Sequence, residues 1–157
     1  MLALLTGMAI ALHLFESWCI PPFFGVFRIG LANVIALIAL YHMGIKEMLT
    51  VNVLRVIVGN LLSGTFLGSS FWISAGGVFL SCAALVILKK VNASAVFTSV
   101  ISAIAHSVGQ VLIVAFFYKQ SMIFTILPYF FFFSIPAGLF TGWIAGMAVK
   151  RISPLKK

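Results

Sequence analysis

Long apolar runs follow one another along almost the whole chain, with short polar interruptions between them. A membrane-crossing helix needs about 20 predominantly apolar residues. Six runs reach or approach this length, at residues 2–18, 27–43, 49–67, 71–88, 95–118 and 123–149. These runs are continuous, whereas strands of a transmembrane β-barrel alternate between polar and apolar positions. The pattern therefore predicts an all-α integral membrane bundle of six transmembrane helices, forming a single domain over residues 1–157.

The composition agrees with this interpretation and excludes several function classes. Charged residues make up 8% of the chain, against about 25% in ordinary soluble domains. The acids are Glu16 and Glu47, and the sequence contains no Asp. Asp-rich magnesium motifs, Asp-based catalytic triads and EF-hands are therefore excluded. The sequence also has no Gly-rich loop ending in Lys-Ser or Lys-Thr. We expect no enzyme, no metal site, no bound cofactor and no ATP-driven motor in this chain.

Basic residues are distributed unevenly between the predicted loops. With six spans, the two termini and the second and fourth loops share one side, and that side carries seven of the ten Lys and Arg residues. Arg28 and Lys119 fall on the other side, and Arg55 falls within a span. Cytoplasmic loops of membrane proteins are enriched in Lys and Arg. The asymmetry predicts a multi-pass protein of the cell membrane with both termini in the cytoplasm. It also explains the net charge of +8 without a nucleic-acid partner.

Several polar side chains fall inside the apolar runs, where burial of a polar group is costly and needs a reason. Arg55 lies in the third span, three residues after Asn52 and therefore on the same helix face. The predicted depths place these groups around one cavity that opens outward. Two cationic groups near the membrane centre suit a small anionic or phosphate-bearing ligand. The candidate ligand-binding residues are Asn33, Arg55, His106, Gln110, Arg28 and Glu16.

Each of these residues also has a purely structural interpretation. Arg55 can pair with Glu16 or bond to carbonyl groups and so clamp helices together. His106 can form an ordinary interhelical hydrogen bond, and the asparagines can act in the same way. The sequence leaves open whether Arg55 and His106 bind a ligand or only hold helices in place.

Two stripes of small residues at four-residue spacing would let another helix approach closely. They consist of Ala3, Gly7 and Ala11 in the first span and Gly138, Gly142 and Gly146 in the last span. Each stripe can pack within the bundle or dock a second membrane protein, and it can also support self-association.

An ordered series of short segments resembles one protein family. The series comprises Glu16 with the Pro pair at 21–22, GLAN at 30–33, LRV at 54–56, GTF at 64–66 and AHSVGQ at 105–110. On these segments the chain resembles the heptaprenyl diphosphate synthase component I family, also called the Gx transporter family, over about residues 2–150. The family pattern has Asn after the His, where this chain has Ser107.

This family in turn resembles the substrate-binding S components of energy-coupling factor (ECF) importers. The resemblance implies six helices, a ligand site near the outer face, and a T component and two ATPase subunits as partners, besides a small-molecule substrate and membrane lipid. It also implies that the T component docks on small residues of the first helix, here Ala3, Gly7 and Ala11.

The family name implies a different role, in isoprenoid or quinone metabolism. Since the chain has no Asp for a magnesium-dependent prenyl transfer, we expect in that case a non-catalytic membrane accessory subunit that binds a prenyl-type ligand. A third interpretation is a purely structural membrane partner of an electron-transfer complex.

Overall fold

The computed structural model describes residues 1–19, 32–119 and 121–152, and this part of the chain is almost entirely helical. The α-helices are α1 (Leu2–Cys19), α2 (Asn33–His42), α3 (Ile45–Leu62), α4 (Ser69–Lys90), α5 (Ala95–Tyr118) and α6 (Leu127–Ile152), and a 3-10 helix (Ser121–Ile126) precedes α6. The prediction of an all-α bundle with six helices is confirmed.

Three of the described helices are long and apolar enough to cross a membrane, at Ser69–Lys90, Ala95–Tyr118 and Met122–Ile152. Two more, Leu2–Trp18 and Asn33–His42, are apolar but shorter. Their outward-facing side chains include large aromatic rings that are more than two-thirds exposed, such as Phe79, Phe116 and Phe132. A continuous apolar exterior of this kind fits a lipid environment. The chain is therefore a membrane protein, and the orientation of its termini stays a prediction.

Helix α2 lies at the centre of the bundle and packs against α1, α3, α5 and α6. Seven of its ten residues are buried, and Asn33 is the polar member of that set. A helix that is apolar on all sides is a buried helix. The central position of α2 brings Asn33 into the interior, where it can face groups from several other helices.

Helix α3 spans Ile45–Leu62, whereas the apolar pattern predicts a span at 49–67. At its start Gly44 has a φ of 135°, a conformation that favours glycine because it has no Cβ. This turn lets α3 begin directly after α2. At the other end Gly64 and Leu67 have φ values of 68° and 61°. Residues 63–67, which the apolar pattern includes in the third span, therefore belong to the connection to α4.

Helix α6 begins at Leu127, four residues after its predicted start. The 3-10 helix occupies the preceding segment, and Pro128 lies in the first turn of α6. Proline is tolerated there because the first N–H groups of a helix have no intrahelical acceptor. The aromatic residues 129–133 consequently belong to the helix itself.

Pairs of buried hydroxyl groups join α4, α5 and α6. The pairs are Ser81 with Ser102 at 2.7 Å, Ser99 with Thr141 at 2.8 Å and Ser107 with Ser134 at 2.6 Å. Interhelical hydrogen bonds of this kind stabilise helix association in membranes. Ser107, the residue that departs from the family pattern, therefore holds α5 against α6.

We expect Ser107→Ala to lower the free energy of unfolding by about 1 kcal/mol, because the buried Ser134 hydroxyl loses its partner. Chemical denaturation in mixed micelles measures this change. The double variant Ser107→Ala/Ser134→Ala should lose less than the sum of the two single variants. Fully additive losses would show that the two hydroxyls do not interact.

The two stripes of small residues serve different purposes. Gly138 and Gly142 are buried against α5, where a Cβ atom would lie 2.7 Å from Val100 Cα and 2.8 Å from Val96 Cα respectively. A Cβ on Gly7, in contrast, would meet no described atom within 4 Å. The residues of the α1 stripe, Ala3, Gly7 and Ala11, are all exposed. Gly138 and Gly142 of the α6 stripe thus pack inside the bundle, while a Cβ on Gly146 would meet no described atom within 4 Å and the α1 stripe faces outward.

Candidate functional site

Five of the six predicted ligand-binding residues lie in the described part of the chain, and all five are buried. Arg28 lies outside the described residues. The exposed fractions of the five are 3% for Glu16, 4% for Asn33, 3% for Arg55, 4% for His106 and 0% for Gln110. Asn52, which the sequence places on the same face as Arg55 but not among the candidates, is 2% exposed. The bundle therefore contains a substantial buried polar set.

On one side of this set, Asn52 ties α3 to α4. Its Nδ2 atom donates to Met48 Sδ and to Cys82 Sγ, both at 3.2 Å. Arg55, one turn further along α3, interacts electrostatically with Glu16 of α1 and with Cys82 of α4. Arg55 therefore lies in the region where α1, α3 and α4 meet.

The electrostatic attraction between Arg55 and Glu16 depends on a close approach of α1 to α3. Gly59 makes that approach possible, since a Cβ there would lie 2.9 Å from His13 Nε2. His13 is three residues before Glu16, and Gly59 is four residues after Arg55. Both pairs therefore share a helix face, and packing at one pair brings the other pair near.

On the other side, His106 and Gln110 form a pair on α5. Gln110 Nε2 lies 3.1 Å from His106 Nε2. Both side chains pack on Gly77 of α4, where a Cβ would lie 2.8 Å from Gln110 Cγ and 2.9 Å from His106 Cε1. The absence of a side chain on Gly77 makes room for the two polar groups.

One end of the bundle gives a common reference for the depth of these groups. Tyr41, near the end of α2, donates its hydroxyl to the Ala93 carbonyl at 3.0 Å and also lies 3.0 Å from the Thr98 hydroxyl. Lys89 Nζ lies 4.2 Å from the centroid of the Tyr41 ring, a cation–π distance. The end of α2 and the connection between α4 and α5 therefore lie side by side.

Measured from that end, the polar residues lie at similar depths. Asn33 is nine residues before the end of α2, and Arg55 is ten residues after the start of α3. At 1.5 Å per residue, both are about 14–15 Å from the end. His106 is eleven residues after the start of α5, at about 16 Å, and Gln110 is one turn further. Since α2 packs against both α3 and α5, Asn33, Arg55 and His106 lie at about one level of the bundle, and Gln110 lies one turn beyond it.

Four atoms in this region are buried and have no hydrogen-bond partner among the described residues. They are Asn33 Oδ1, Asn52 Oδ1, Arg55 Nε and Gln110 Oε1. A buried polar group without a partner costs about 1–3 kcal/mol, and folded proteins contain only a few such groups per 100 residues. Their occurrence on the neighbouring helices α2, α3 and α5 marks this region as a candidate ligand site.

The chemistry of the set is that of binding. Among the described residues, no group of three or more His, Cys, Asp and Glu could hold a metal ion. Asn60, another buried polar residue of α3, is engaged locally, because its Nδ2 donates to the Val56 carbonyl at 2.7 Å and its Oδ1 accepts from Thr65 at 3.0 Å. Asn60 thus stabilises the end of α3, whereas the atoms without partners offer hydrogen bonds to a ligand.

The fold and this polar set define a helical membrane protein with a candidate binding site in its interior. The model of the heptaprenyl diphosphate synthase component I family matches residues 5–148. The chain therefore belongs to this family, which confirms the resemblance inferred from the short sequence segments. Comparisons with curated proteins and with solved structures gave no match.

Proposed function

We propose that this chain is the membrane-embedded substrate-binding subunit, or S component, of an ECF-type importer in the cell membrane. In this role it captures a small molecule from outside the cell and delivers it to a module made of a T component and two ATPases. It performs no catalysis itself. The observation that carries the proposal is the set of buried polar atoms on α2, α3 and α5 that have no hydrogen-bond partner among the described residues. A purely structural bundle gains nothing from such atoms, because each one weakens it.

The outward-facing stripe on α1 supports a partner of the kind an S component needs. The exposed residues Ala3, Gly7 and Ala11 are flanked by Leu4 and Met8, which are 63% and 48% exposed. Small residues on a lipid-facing helix let a partner helix approach the backbone closely. We therefore assign the docking of the T component to this face of α1.

We expect Gly7→Leu to keep the fold and the bound ligand but to lose the T component and the ATPases. The added side chain has room in the isolated protein, since no described atom lies within 4 Å of a Cβ there, but it would hold a partner helix away. Affinity purification of the tagged chain from native membranes in mild detergent, followed by mass spectrometry of the retained proteins, measures the loss.

Ala83→Leu is the matched control, because it makes a similar enlargement at an exposed position of α4. It should retain the complex. If Gly7→Leu retains the complex as well, α1 is not the docking face. If the native protein brings down no ATPase-bearing complex, the importer proposal itself is wrong.

A second candidate function follows from the family description, heptaprenyl diphosphate synthase component I. In that role the chain is a non-catalytic membrane accessory subunit that holds a prenyl-type ligand, with Arg55 at the diphosphate end. The same purification separates the two functions. A soluble prenyltransferase among the retained proteins would favour the accessory role, and an ATPase-bearing complex favours the importer.

A further inference from the structure

The charge around Arg55 bears directly on the class of ligand. The sequence predicts an anionic ligand on the premise that Arg55 needs a counter-charge. In the structure, the 3% exposed Glu16 already interacts attractively with Arg55. An anionic ligand would add a second negative charge beside Glu16 in a buried space, where an unbalanced charge is strongly unfavourable. A negative group therefore already lies near Arg55, so this arginine does not require an anionic ligand as its counter-charge.

The orientation of the Asn52 amide is fixed by its two sulfur partners. Its Nδ2 donates to Met48 Sδ and Cys82 Sγ. A thioether sulfur can only accept a hydrogen bond, so a rotation of the amide by 180° would set the Asn52 oxygen against the sulfur of Met48. Asn52 Oδ1 consequently stays on the other side as a buried acceptor without a partner among the described residues.

Arg55 Nε complements this acceptor. It is a donor, it is buried, and it also has no partner among the described residues. Asn52 and Arg55 are three residues apart on one helix face, with their Cβ atoms about 5–6 Å apart. This pair therefore matches a ligand edge that carries a donor beside an acceptor. The oxygens of an ionised carboxylate or phosphate only accept hydrogen bonds. They could accept from Arg55 Nε but would form no hydrogen bond with the acceptor Asn52 Oδ1.

We propose that Asn52 Oδ1 and Arg55 Nε together bind the amide edge of a neutral ligand, such as a carboxamide, a lactam or a cyclic imide. The ligand N–H donates to Asn52, and the ligand carbonyl accepts from Arg55. Asn33 Oδ1, at a depth similar to that of Arg55, and Gln110 Oε1, deeper along α5, provide two more acceptors for donor groups on the same molecule. This inference names the ligand class of the site described above and so rests on the proposed function.

A set of matched small probes tests the ligand class on the purified full chain in nanodiscs. Benzamide and benzoate have the same ring and nearly the same shape, but benzoate has no N–H donor. N,N-dimethylbenzamide keeps the carbonyl and also lacks the donor, and inorganic phosphate carries charge without a ring. The unfolding temperature is measured while each probe is titrated into the millimolar range.

We expect benzamide to raise the unfolding temperature by roughly 2–4 °C at several times its Kd, and the other three probes to leave it unchanged. An equal or larger rise with benzoate, dimethylbenzamide or phosphate would overturn the proposal. The absence of any rise with benzamide would overturn it as well.

Asn52→Leu tests the assignment to this residue, because leucine keeps a similar volume and removes the acceptor. The response to benzamide should disappear in this variant. The response should persist in Ser74→Ala, which removes a different buried polar group. That group is a hydroxyl that donates to the Ser70 carbonyl at 2.8 Å within α4. A benzamide response that survives in Asn52→Leu contradicts the proposal, and the probe series on the native protein decides the question if this variant does not fold.

The outcome is separable from that of the proposed function. If the native protein retains an ATPase-bearing complex but does not respond to benzamide, the importer proposal holds and the proposed ligand class is wrong. If the protein responds to benzamide but retains no such complex, the binding site is supported and the importer proposal is wrong.

Discussion

Replacing Arg55 with alanine is expected to abolish retention of the bound small molecule and to lower the free energy of unfolding by about 3–5 kcal/mol. Arg55 and Glu16 are each 3% exposed and attract each other across α3 and α1. Removal of Arg55 takes away a positive charge that attracts the buried Glu16, and breaking such a buried pair is strongly destabilising. Denaturation in mixed micelles measures the loss of stability, and native mass spectrometry of gently purified protein measures ligand retention.

A second variant separates the loss of binding from the loss of stability. Arg55→Met combined with Glu16→Gln removes both charges and keeps similar side-chain volumes. Replacing a buried ion pair by uncharged groups is often neutral or stabilising, so the double variant should regain most of the stability and still fail to retain the ligand. Retention of the ligand by the double variant would show that Arg55 only clamps helices. Normal stability and retention in Arg55→Ala would remove Arg55 from the site altogether.

The class of fold could be predicted from the chain because run length and continuity of apolar residues are local properties. The position of α2 at the centre of the bundle could not be predicted in this way. A helix that faces lipid and a helix that is buried among other helices present the same hydropathy, so the segment that contains Asn33 reads like any other span. For the same reason, the stripes at Gly7 and Gly138 look alike in sequence, although one is exposed and the other is packed against α5.

The candidate site was predictable where it depends on spacing within one helix. The pair His106 and Gln110 on α5 and the pair Asn52 and Arg55 on α3 follow directly from helical periodicity. The role of Asn52 was missed because it depends on Cys82, thirty residues away in the chain. The sequence left the pairing of Arg55 with Glu16 as one alternative, because that pairing depends on the approach of α1 to α3 at Gly59. Contacts between distant segments decide which polar groups are satisfied, and these contacts have no local signature.

The other large effect is expected at the contact between α4 and α5, in Gly109→Ala. A Cβ on Gly109 would lie 2.9 Å from Gly77 Cα and would also meet the carbonyl group of Gly76. These are backbone atoms, which cannot rotate away, so the two helices must separate. Overpacking of this kind typically costs about 1–3 kcal/mol and occasionally more, and the polar side chains next to the contact move with the helices.

We therefore expect Gly109→Ala to lower ligand retention together with stability, because His106 and Gln110 pack on Gly77 at the same contact. Thermal unfolding and native mass spectrometry, performed on one preparation, measure both. Gly146→Ala is the matched control, since a Cβ there would meet no described atom within 4 Å, and alanine is the better helix former by about 1 kcal/mol. The control should be at least as stable as the native protein and should retain the ligand. Equal behaviour of the two variants would mean that the close approach of α4 to α5 does not position the site.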